Sequence, residues 1–445
     1  MFALSRLRCT VLLAALLPPA VSADVLPEPE PIASLTAVAA VQRAVSWHPT
    51  IGRQAALVQQ QLQARSAARA GYYPQVNGGL RSGYERRYDD AGVYPELVLS
   101  VSQMLYDFGK VSSAVRSAEA ASLAQQARLL LTVDDIALQT AEAALEARRQ
   151  WRLEQLAREQ YQGLAAVAGL VERRHQQGAS SLSDAIQSQQ RVEVARAQVL
   201  DHAAQRARWE ARLGTLVGAQ GPRRIEDRLP ADLGQSCSPD DLERQAVPAL
   251  LMARAERAHA EAELDLARAQ RRPTLTLDPS VSHYVDDLPR MGGVDSDRTD
   301  YSLFLNMNMP LYQGGSLRAQ EKAAQHALTA SDAGLRQALT EARQTLREAD
   351  EQRRTLAPQE ALLQAREQLS LQTRDLYRQQ YLELGTRPLL DLLNAEQDIH
   401  QARMALENLQ GELQKFALSC AFASGTLRDA FGLNGQSLQG VEITP

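Results

Sequence analysis

The chain has 445 residues, 44% of them hydrophobic but only 5% aromatic, and carries a formal net charge of −5. That length allows two or three domains, and a mix dominated by Ala, Leu, Gln, Arg and Glu favours long helices over sandwiches or α/β folds. A mild negative charge with no basic block or aromatic–basic cluster speaks against nucleic acid as a partner.

Residues 1–23 read as a secretory signal peptide. MFALSRLR carries two arginines, TVLLAALLPPAV is a short apolar core, and Val21-Ser22-Ala23 offers small residues for cleavage. The apolar core is too short for a stable span, and no later run of about 18 apolar residues follows, so no transmembrane helix is expected. Cys9 leaves with the signal and is not placed to become a lipidated first residue. Cys237 and Cys420 remain, either to pair or to stay as buried thiols.

The exported part reads as two copies of one unit, residues 24–230 and 231–432, with a tail over 433–445. Pro49 and Pro74 are matched by Pro248 and Pro273, Leu105-Tyr106 by Leu311-Tyr312, and GASSLSDAIQSQQ from Gly178 by GTRPLLDLLNAEQ from Gly385. In both turns Asp follows Gly by six residues, and Gln follows Asp by six. So many landmarks in one order indicate a duplication. Each unit is expected to run helix, two strands, helix, turn, helix.

In the first unit the strands lie at about 75–105. Leu97, Leu99 and Val101 alternate with Ser100 and Ser102, and GYERRYDDAGVYP reads as a surface loop between the strands. MLYDFGK then changes the period from two to a helical one. Tyr106 suits an interfacial aromatic girdle, Asp107 can cap the new helix, and Gly109 permits the turn. From Val111 to His175 there is no proline, and such a helix would span roughly 100 Å. Asp134-Asp135 and Asp286-Asp287 read as solvated.

In the second unit the strands lie at about 274–309. Leu303, Leu305, Met307 and Met309 alternate with Ser302, Asn306 and Asn308. Tyr312 and Gly315 echo the first seam, Gln313 replaces its acid, and Pro74 and Pro273 mark the opposite crossings from helix to strand. Pro358 is expected to kink or break the helix that follows.

Apolar-out, polar-in runs of about ten residues suit a transmembrane barrel. Four strands cannot close one, and an open edge is not tolerated in lipid, so the chain must self-assemble. Three copies give twelve strands. The fold class is therefore mainly α with transmembrane β: long coiled-coil helices forming an α-barrel tunnel, plus four strands per protomer in a 12-stranded trimeric β-barrel.

SQMLYDFGK, MNMPLYQGG and YLELGTRPLLDLLNAEQ together resemble the TolC-like outer-membrane factors, over essentially the whole exported chain. The resemblance implies a homotrimer in the outer membrane with a periplasmic extension. It also implies docking to a periplasmic adaptor and an inner-membrane ABC transporter or proton-driven pump. Asp391 matches a pore-facing acid at the tunnel entrance, where Asn394 replaces the usual second acid and Asp398 follows on the same face. Arg387 matches a tip arginine, Ser183 and Asp184 match its partners, and Leu382 takes the place of the gate tyrosine, with Tyr381 one residue earlier.

No nucleophile elbow, phosphate-binding glycine loop or metal-ligand spacing occurs among the seven histidines, so neither catalysis nor a cofactor is expected. SQMLYDFGKVSSAV looks more like members serving type I secretion of proteins such as large adhesins or toxins. The alternatives are a duct for small-molecule or drug efflux, and an exported coiled-coil scaffold without a barrel.

Overall fold

The computed structural model describes residues 34–87, 90–219, 225, 229–230, 233, 242, 246–285, 299–435, 437–438 and 441–442. The signal segment and Cys237 lie outside them. In chain order the elements are α1 (Ala37–Trp47), α2 (Pro49–Arg69), β1 (Gln75–Arg87), β2 (Asp90–Tyr106), α3 (Lys110–Gln176) and α4 (Leu182–Val217). After these come α5 (Pro248–Ala269), β3 (Thr274–Tyr284), β4 (Thr299–Asn308), α6 (Ser316–Gln379), α7 (Leu389–Ser424) and the short α8 (Leu427–Ala430). A small hairpin, Ser437–Leu438 with Val441–Glu442, follows. The sequence helix, strand, strand, helix, helix occurs twice. Among the described residues no helix is long and apolar enough to cross a membrane.

The four long strands form one antiparallel sheet in the order β1-β2-β3-β4. Its two faces differ because side chains alternate along a strand. Directly opposed pairs Val76–Val101, Leu80–Leu97, Leu277–Leu305 and Leu275–Met307 line one face. Asn77–Ser100, Ser100–Ser280, Ser280–Ser302 and Thr276–Asn306 line the other, where Phe304 is an apolar exception opposite Asp278. The apolar face is uncovered: Leu80 is 70% exposed and Met307 68%.

The segment read as a loop between β1 and β2 is mostly strand. Pairing continues residue by residue to Arg87–Asp90, giving strands of 13 and 17 residues. Tyr84, Val93 and Tyr94 favour extended backbone, which outweighs the turn signal of the charges beside them. Both strands thus exceed the 9–11 residues that a bilayer needs. The segment expected to join β3 and β4 lies largely outside the described residues.

The helices bury alanine-rich seams. On α3, Ala137, Ala141 and Ala144 are fully buried and pack in one core with Ala40, Val41 and Ala44 of α1, Leu213 and Val217 of α4, Leu418 of α7, and Leu427 and Phe431. Small side chains let helix backbones approach closely, and that is how a chain so poor in aromatics builds a core. Far along α3 a second core gathers Leu164 and Val171 with Val192 of α4 and Leu392 and Leu393 of α7.

Two expectations are corrected. Pro358 does not break its helix: α6 runs unbroken for 64 residues across it. Pro358 is exposed, and so is Arg354, whose carbonyl loses a partner and can turn to water. Asp134 is not solvated. It is fully buried, and Arg428 donates to its Oδ2 at 2.5 Å. Burial, opposed by Arg428, pushes the Asp134 carboxyl up to about 7. Cys420 is fully buried and disulfide-bonded.

Candidate functional site

The residues singled out in the sequence fall in two regions with left-handed backbone: the strand-to-helix seams and the α3–α4 and α6–α7 turns. At the first seam Asp107 is 8% exposed and accepts two backbone bonds, Gly109 N to Oδ1 at 2.9 Å and Val111 N to Oδ2 at 2.5 Å. These satisfy donors that the start of α3 leaves unpaired. Phe108 (φ 55°) and Gly109 (φ 97°) take left-handed angles, and the Phe108 ring meets Tyr106 edge-on at 4.6 Å. The second seam turns at Gly314 (φ 62°) and Gly315 (φ 90°) with no side-chain cap. Tyr312 is 86% exposed there. Lys110 Nζ donates to Thr274 Oγ1 at 2.6 Å, tying the start of α3 to β3.

The opposite crossings are built differently. A single 3₁₀ turn, Ala70–Tyr72, separates α2 from Pro74, and β1 starts at the next residue. Pro273 sits directly before β3 and is buried. Proline cannot continue a helix and biases the residue before it toward extended backbone, so both crossings have a local cause.

At the α3–α4 turn Gly178 has φ 75° and His175 Nδ1 lies 3.0 Å from Ser180 O. Ser181 caps α4 by accepting from Asp184 N at 3.0 Å, and Asp184 Oδ2 accepts from Ser181 N at 3.4 Å, closing a capping box; the Ser180 hydroxyl also donates to Asp184 Oδ2, at 3.2 Å. Ser183 is exposed. Within one protomer Asp184 is therefore committed to its own helix rather than to Arg387.

Arg387 has other partners. Its Nε donates to Gln380 Oε1 at 3.0 Å, its Nη1 to Asp391 Oδ2 at 3.1 Å, and the guanidinium stacks 4.5 Å from the Tyr377 ring. The Asp391 pair is four residues apart on one helical turn and could be read from sequence. Gln380 and Tyr377 are brought near only by the reversal at Gly385 (φ 64°), so spacing gives no sign of them.

Residues Gln380–Leu384 form a π turn, which admits an extra residue. It puts Tyr381 inward, 7% exposed, under the Arg174 guanidinium at 5.0 Å, while Leu382 is 37% exposed. One turn further, Asn394 and Asp398 are exposed. Arg191 of α4 reaches Asn394 Oδ1 at 3.4 Å and Gln397 Oε1 at 2.6 Å. Behind this exposed face sequence reading missed two buried groups, Glu396 and His400, each 5% exposed. Burial, with Arg403 and Arg374 nearby, lowers His400 to about 4. Glu396 lies four residues after Leu392 and His400 seven after Leu393, a helical spacing that could have placed them on the buried side.

Among the described residues no group of His, Cys, Asp or Glu could hold a metal ion. What the arrangement offers is a two-faced sheet joined by tight seams to helices that end in two turns.

Protein CyaE of Bordetella pertussis is 27% identical over 339 residues, covering 72% of this chain and 69% of CyaE. Outer membrane protein TolC of Salmonella enteritidis is 28% identical over 202 residues, which is 41% of this chain and 40% of TolC. The outer membrane protein VceC of Vibrio cholerae shares the fold at a TM-score of 0.74, with 20% identity over 88% of this chain and 95% of VceC. The outer membrane efflux protein model matches residues 40–219 and 241–426. The family match and the uncovered apolar face of the sheet both weigh against a coiled-coil rod without a barrel. The chain belongs to the outer membrane efflux protein family, and its place is the outer membrane of a Gram-negative cell, with helices reaching into the periplasm.

Proposed function

We propose that the chain is one third of a homotrimeric duct that carries protein cargo out of the cell for a type I secretion system. An inner-membrane ABC transporter supplies the energy and a periplasmic adaptor bridges the gap. The observation that carries the assembly is the sheet: among the described residues β1 and β4 are paired on one side only, and one face is apolar and uncovered. Such an edge is tolerated in lipid only when another strand completes it. Three copies joined β1 to β4 make a twelve-stranded barrel with the serine, threonine and asparagine face inside. Support for protein cargo comes from the SQMLYDFGKVSSAV resemblance and from the likeness to CyaE.

At the entrance Asp391, with Asn394 and Asp398 along the same helix, lines the constriction, and Arg387 is the latch. Three carboxylates around one axis would attract cations to the mouth. One exposed Arg387–Asp391 pair is worth about 0.2–1 kcal/mol, weak enough for a gate that must open. Deleting the gene and measuring both secreted proteins and drug susceptibility tests the cargo. Loss of a secreted protein is expected. Unchanged secretion with drug hypersensitivity would replace this reading by small-molecule efflux through a proton-driven pump.

A further inference from the structure

Near the tip, α3, α6 and α7 enclose a cleft of about 450 Å³. Four arginines line it: Arg173 from α3, Arg374 and Arg378 one turn apart on α6, and Arg403 from α7. Two of them are paired. Arg403 donates to Glu367 at 2.8 Å and Glu159 at 3.2 Å, and Arg374 donates to Asp375 at 2.7 Å and lies 3.8 Å from Glu396. Among the described residues neither Arg173 nor Arg378 has a carboxylate within salt-bridge distance, though the charge of Arg378 is felt by Glu396 across the cleft, and both arginines are exposed.

The floor adds a contact of another kind, a lone pair on the uncharged His400 ring to which a hydroxyl or amide on the body of a ligand can donate. His400 lines the cleft, is 95% buried, and its Nδ1 has no hydrogen-bond partner. A buried polar atom without a partner is costly and marks a place that a ligand can complete. Gly163 and Glu396 complete this wall of the cleft. Leu170, Leu382 and Ile399 supply an apolar side. The volume suits a small organic molecule. Arginines hold anionic oxygens in paired, directional bonds, and a doubly charged head can engage α3 and α6 together.

We propose that this cleft binds a small organic anion, with an oxyanion head between Arg173 and Arg378 and an apolar body against Leu382 and Ile399. Occupancy would join α3 to the α6–α7 hairpin across a gap that no direct salt bridge between Arg173 and α6 spans.

The test uses the full exported chain purified in detergent, with phenyl phosphate as probe and sodium chloride at matched ionic strength as reference. Calorimetry should show saturable binding, and the thermal unfolding midpoint should rise with probe concentration. Arg173→Gln and Arg378→Gln should each weaken binding about tenfold. Arg366→Gln, about 18 Å back along α6 from Arg378, should leave it unchanged. Absence of saturable binding, or equal weakening by all three substitutions, overturns the proposal. Binding that survives both cleft substitutions overturns it too.

Discussion

Arg428 and Asp134 are 294 residues apart in sequence and 2.5 Å apart in the core. Each is about 1% exposed. Removing one member leaves the other charge buried and uncompensated, so Arg428→Met is expected to cost about 3–5 kcal/mol, read as a fall in the chemical or thermal unfolding midpoint. Asp134→Leu in the same chain should restore most of that loss, because the pair's own desolvation cost disappears with it. His400 gives a pH signature. Its folded value of about 4 lies below the ordinary 6.5, so between those limits the unfolded chain binds a proton that the folded chain does not. That contribution to stability is whole above pH 6.5 and is lost as pH falls toward 4. His400→Gln should flatten the stability profile over that window; superimposable profiles would remove His400 from the account. Helical spacing hints that His400 faces inward, but the burial of Asp134 does not announce itself in the sequence. Asp134 sits beside Asp135 in a charged helix, and only the fold reveals that α8 delivers a guanidinium to it.

Asp107 shows what one capping residue does for a whole element. Its two backbone bonds are absent at the second seam, where Gln313 stands in the corresponding place. Asp107→Ala is expected to lower stability by about 1 kcal/mol, and Gln313→Ala by much less. Pro358 is the reverse case. A proline within a helix costs about 3 kcal/mol relative to alanine, so Pro358→Ala should raise the unfolding midpoint without changing helix content by circular dichroism. Elements of this kind were largely legible beforehand. Alternation marked β2 and β4, the paired prolines marked the crossings into β1 and β3, and the absence of proline marked α3. What escaped was set by competition between local signals. The β1–β2 hairpin outlasted its charged residues because tyrosine and valine pair well across strands, and Pro358 was absorbed because it faces water. The site was legible only where spacing is local. Arg387 and Asp391 lie one turn apart, whereas Tyr377 and Gln380 meet Arg387 through a reversal that spacing alone does not specify.

For the whole molecule the sharpest expectations concern assembly and gating. In the proposed trimer, Arg387→Ala removes three contacts per protomer, to Gln380, Asp391 and Tyr377. Closed-state conductance in a planar bilayer should rise, and an unchanged value would deny Arg387 the role of latch. The unpaired edges of β1 and β4 also have a genetic consequence. Since each copy supplies both seals of its neighbours, a chain with Leu305→Pro in β4 would spoil any barrel it entered. In a cell making equal amounts of the two chains, about one trimer in eight would contain no faulty copy. The defect would therefore behave as a dominant trait: the intact allele is still expressed, yet most of its product is sequestered in leaky or uninserted assemblies.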